Sequence, residues 1–128
     1  MSAMSDYLEL EVLDHVLGTG AYTMPSNVYI GLSTGSFGDD NSGTELSGSG
    51  YARQAITFAA ASSGSAATNA TVTFPTATGS WGSISHWGIF DASSSGNLLI
   101  HGSFASSKTI ASGDVLRVNS GDLTVTAA

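Results

Sequence analysis

Val28, Ile30 and Leu32 alternate with Tyr29, Gly31 and Ser33, and similar short apolar runs recur along the chain, each cut off by a tract of Gly, Ser or Thr. Period two is the spacing at which alternate side chains of an extended strand reach one face, and breaks this frequent leave little room for long helices. Further strands are predicted over Tyr51 to Phe58, Thr71 to Phe74, Ile84 to Phe90, Leu98 to Phe104, Val115 to Val118 and Leu123 to Thr126, with a short addition at Lys108 to Ile110. Between them lie SSGSAATN, PTATGSWG, ASSSGN and ASGD, which carry turn residues. The spacing predicts a mainly β protein: an antiparallel β-sandwich or barrel-like domain of about seven or eight strands.

One segment breaks the period. Asp6 to Leu17 reads as an N-terminal α-helix, with Asp6 and Glu9 as a capping-box-like start and Gly18 as the stop. Leu10, Leu13 and Leu17 share a face, Leu8, Val12 and Val16 an adjoining one. So wide an apolar stripe needs a cover, either the protein's own sheet or a neighbouring subunit. Gly18-Thr19-Gly20 reads as a hinge, dividing a helical segment, 1–20, from a β-sandwich domain, 21–128. Residues 34–50 form a long polar connection with Phe37 and Leu46 as its apolar anchors. Leu10, Leu13, Leu17, Phe37 and Leu46 are the candidate subunit contacts.

Composition narrows the functional classes. The 128 residues suit one domain, and ten acidic residues against Arg53, Lys108 and Arg117 give a net charge of -7. Such a field repels phosphate backbones and anionic lipid, so neither nucleic acid nor membrane is an expected partner. The absence of cysteine removes disulfides, thiolate metal sites and cysteine nucleophiles. Met1 to Asp6 lack the basic start of an export signal, and no apolar stretch approaches the ~20 residues of a membrane span, so a soluble protein is expected.

Few patterns carry chemistry. Gly31, Ser33 and Gly35 match the G-x-S-x-G nucleophile elbow, with Asp91 and His101 in the order of a hydrolase triad. Gly35 leads into a polar loop rather than a helix, so the match reads as a strand entering a turn. Asp39, Asp40, Asn41 and Glu45 gather oxygen ligands around Gly43, but their spacing is not that of a calcium loop, and a solvated loop is the expectation. His15, His86 and His101 lie far apart and lack metal-ligand spacing. No catalytic residue, cofactor or metal is expected. Among the aromatics, Tyr51 and Trp81 are the candidates for a sugar-stacking platform, although a single aromatic in a turn more often caps a core edge, and a core role is the expectation for Trp81; alternation places Trp87 and Ile89 on one strand face and Ile84, His86 and Phe90 on the other.

The helix DYLELEVLDHVL, the run AYTMPSNVYIGLSTG, and above all GYAR (50–53), TFPTAT (73–78) and HWGIFD (86–91) resemble a family of small tailed-bacteriophage virion proteins. Its members are often labelled tail-fibre or capsid-associated proteins. The resemblance implies a non-enzymatic structural β-domain of the virion, assembled in the bacterial cytoplasm. The leading expectation is a capsid cement or decoration protein bound to the major capsid protein, a homo-oligomer and by resemblance a trimer. The alternative is a tail or tail-fibre module that binds host-surface glycan through Tyr51 or Trp81.

Overall fold

The computed structural model describes residues 2–127. In chain order its elements are β1 (Ser2–Met4), α1 (Asp6–Leu17), β2 (Val28–Ser33), β3 (Gln54–Ile56), β4 (Ser65–Ala67), β5 (Val72–Thr73), β6 (Gly82–Phe90), β7 (Leu98–Ile110), β8 (Arg117–Val118) and β9 (Thr124–Thr126). Five strands form one antiparallel sheet in the order β1-β7-β6-β2-β3, and two ribbons, β4-β9 and β5-β8, complete the molecule. Among the described residues the protein is mainly β with one N-terminal helix, as the sequence predicts, with nine strands against the expected seven or eight.

Apolar alternation places the main core. Ile30, Leu32, Ile56, Trp87 and Ile89 project from one face of the large sheet and meet Val72, Phe74, Leu116, Val118 and Leu123 from the ribbons and their approaches. Phe90 and Leu98 point to the opposite face, where Phe37 of the 34–50 loop covers them. Ile84 departs from the expected alternation. The β6–β7 register jumps from Ile84↔Lys108 to His86↔Ser103, so residues 104–107 bulge out opposite Ser85. This irregularity re-aims Ile84 into the main core beside Trp87 and Ile89. It also joins the segments expected as Leu98 to Phe104 and Lys108 to Ile110 into one strand.

The helix has the predicted limits, but Ser5 rather than Asp6 is its cap. Ser5 is extended, and its Oγ accepts from the Leu8 N–H at 3.2 Å while donating to the Leu98 carbonyl of β7. Gly18 ends the helix in the left-handed conformation, at φ 80°. The expected hinge is a cap: the N–H groups of Gly18, Thr19 and Gly20 all turn back to the Asp14 carbonyl. Leu8 is the side chain that the helix buries, next to β7, and the preceding residues pair as β1 with Ile100 to Gly102.

Candidate functional site

The long 34–50 loop is held to the sheet by a compact polar cluster. Arg53, immediately before β3, makes a two-point contact with Glu45, Nη2 to Oε1 at 2.7 Å and Nε to Oε2 at 2.8 Å. Its Nη1 donates to the carbonyls of Ala92 and Ser95 in the β6–β7 turn, at 2.9 and 2.7 Å. The guanidinium lies 3.6 Å above the centre of the Phe90 ring. This planar group thereby fastens a loop, a turn and the small apolar cluster at once, a task for which its five fixed donors suit it. The Tyr51 hydroxyl donates to Glu45 and accepts from the Leu32 N–H of β2. Burial, and then the hydrogen bond to Glu45, push the Tyr51 phenol far above the ordinary tyrosine range.

Of the sugar-stacking candidates, Trp81 is buried, as its expected core role requires, and Tyr51 is partly buried against the main core. Trp81 is 4% exposed, donates from Nε1 to the Ser49 carbonyl at 2.9 Å, and meets Tyr51 edge to face with ring centres 5.6 Å apart. Tyr51 also stacks on Phe74. The Trp81 ring offers no open face for a sugar. The exposed aromatic surface lies elsewhere, at Tyr7, which is 37% exposed and which no pattern in the sequence marks.

The nucleophile-elbow residues do not come together. Ser33 is buried and donates to the Thr44 carbonyl at 2.6 Å; Asp91 accepts from the Asn97 N–H and side-chain amide across its own turn; the His101 ring pairs with Asp39 at 2.7 Å. The acidic loop residues likewise diverge. Asp40 accepts from the Ser42 N–H, and hydrogen bonds from Ser42 hold its carboxyl below the usual range. Asp39 faces His101, Glu45 faces Arg53, and among the described residues no group of three or more His, Asp or Glu side chains is placed to hold a metal ion. His15 accepts from the Tyr22 N–H, and His86 hydrogen-bonds Ser85.

Of the candidate subunit contacts, Phe37 is buried against Phe90, edge to face at 5.6 Å, and Leu46 packs on the main core, so both anchor the loop from beneath. The three leucines of the helix behave in the opposite way. Leu10, Leu13 and Leu17 are 64%, 54% and 71% exposed, because the helix turns its Leu8 and Val12 row toward the body. No helix among the described residues is long and apolar enough to cross a membrane.

The polar side chains of Ser33, Glu45, Arg53 and Asp91 are thus taken up in fastening loops and turns to the sheet. No curated protein matches the sequence. Residues 3–126 match the family described as "Podophage GP4 fiber I protein gp80", and the chain accordingly belongs to this family of tailed-phage virion proteins.

Proposed function

We propose that this chain is a non-enzymatic structural component of a tailed-phage fibre. The family match over residues 3–126 carries this reading, since the family's description names a fibre protein. The internal use of Ser33, Asp91 and His101 in three separate hydrogen bonds supports a structural role over hydrolysis. The capsid-cement role expected from the sequence draws no support from the family. The fibre alternative fits better, although the burial of Trp81 speaks against a glycan contact at that residue. Immunogold labelling of intact particles, followed by a reconstruction of the labelled region, tests the proposal. Density for this chain along the fibres is expected; labelling confined to the head shell would overturn the reading and restore cementing.

A further inference from the structure

Two unlike surfaces of this molecule share no residue. The exposed Leu10, Leu13 and Leu17 row of α1 is bordered by carboxylates. At about 100° per residue, Glu9 falls on one side of that row and Asp14 on the other, with Asp6 at its N-terminal limit. Elsewhere, the β6–β7 bulge and β8 flank an apolar groove of about 220 Å³. Ile84, Phe104 and Leu116 line it, together with Lys108, Arg117 and Asp122.

The placement of the cations is selective. The chain has three Lys and Arg residues in all. Arg53 is committed to its contact with Glu45, while Lys108 and Arg117 are both exposed and both line this one groove. Among the described residues, neither forms an ion pair within its own chain. A cation-bearing apolar groove is the complement of an apolar row edged by acids. Charge matching of this kind fixes register and speeds encounter.

The helix does not reach the groove of its own chain. Its start is tied to Leu98, and the chain after it re-enters the sheet at Val28, with Tyr29 opposite Phe90. The groove lies where Ile84 pairs with Lys108, six residues along β6 from Phe90, or roughly 20 Å at the usual rise of a strand. We propose that copies of this chain associate head to tail, the acid-edged leucine row of α1 on one copy seating in the Lys108 and Arg117 groove of the next. Because the two patches differ, each contact leaves one of each kind unused, and association closes a ring or propagates as a line. This inference rests on surface geometry and holds wherever on the virion the protein sits.

The natural absence of cysteine makes cross-linking a direct test. Full-length Leu13→Cys and Ser106→Cys chains, mixed under mild oxidation, should yield mainly the mixed disulfide dimer. A control chain carries Ser26→Cys in the larger apolar groove beside the helix, which has no charged lining residue. Preferential linkage of Leu13→Cys to Ser26→Cys, or no excess of mixed over self-linked dimers, overturns the proposal. Sedimentation of cysteine-free chains supplies the second measurement. Association should weaken about tenfold in Lys108→Glu/Arg117→Glu, decline with added salt, and recover when Glu9→Lys/Asp14→Lys is added to the same chain. Thermal melting confirms that each variant is folded. A parent chain that is monomeric at submillimolar concentration, or a reversed groove that assembles as well as the parent, also overturns it.

Discussion

Arg53 is one side chain on which three separate segments depend. Its side chain is 8% exposed and that of Glu45 22%, so removing the guanidinium strands a largely buried carboxylate and leaves the Ala92 and Ser95 carbonyls without their donor. Arg53→Ala should lower unfolding free energy by about 3 kcal/mol in urea titration. Arg53→Lys should recover only part, because an ammonium cannot make the paired contact with Glu45 or lie flat on Phe90. A lysine variant as stable as the parent would show that charge alone matters. Tyr51 adds a pH dependence of definite sign. Its phenol is raised in the folded state, so its contribution is complete below the unfolded tyrosine value of about 10 and is lost as pH rises toward the folded value. Stability should therefore fall above pH ~10, and Tyr51→Phe should flatten that fall. The same variant should cost about 1–2 kcal/mol at neutral pH, since the Leu32 N–H loses its acceptor. Melting temperatures across alkaline pH for the two chains check both statements.

Among the elements, the 34–50 loop depends on one close backbone approach. A Cβ at Gly43 would stand 2.2 Å from the Ser36 carbonyl oxygen and 2.6 Å from the Phe37 Cα, both main-chain atoms. Gly43→Ala should therefore displace the loop, loosen Phe37 from Phe90 and cost about 1–3 kcal/mol. Loss of the Phe37 to Phe90 contacts in an NMR spectrum would register the displacement. The sequence could not show this contact, because it joins residues whose approach depends on the path of the whole loop. Legibility elsewhere followed local pattern. The strand Val28–Ser33 has its predicted limits because its apolar positions alternate, and so does the helix, whose C-terminal glycine marks its end. Ser2–Met4 and Ser65–Ala67 escape prediction because SAM and SAA carry no apolar alternation; neighbouring strands impose their extended state. Conversely, only Gln54–Ile56 of the predicted Tyr51 to Phe58 strand pairs in the sheet, because Tyr51 and Arg53 are taken up by the loop contact. The turn setting of Trp81 already favours a core role, and the indole is buried, but the Ser49 carbonyl that holds it inward lies 32 residues away, beyond any local signal.

In the whole molecule, the N-terminal seventeen residues contribute to stability and to surface through different side chains. Stability comes from the inward row and the strand before it. Ser2–Met4 covers the outer edge of β7, Ser2 exchanges hydrogen bonds with Thr126, Ser5 bonds the Leu98 carbonyl, and Leu8 is buried. The outward row contributes little to folding, because Leu10, Leu13 and Leu17 remain mostly in solvent. Deleting residues 1–17 should thus expose a sheet edge and remove the burial of Leu8, itself about 1.5–3 kcal/mol. The melting temperature should drop by on the order of 10 °C, given about 4 °C per kcal/mol for a domain of this size. Replacing Leu10, Leu13 and Leu17 together by serine should move it by no more than about 2 °C, since exposed substitutions cost little. Calorimetry on the two variants separates the contributions. A truncated chain that melts with the parent would mean that β1 and Leu8 are dispensable to the fold. A triple-serine chain that melts as early as the truncation would mean that the outward leucines are covered in solution, by the chain's own surface if the melting temperature is independent of protein concentration and by a neighbouring copy if it is not.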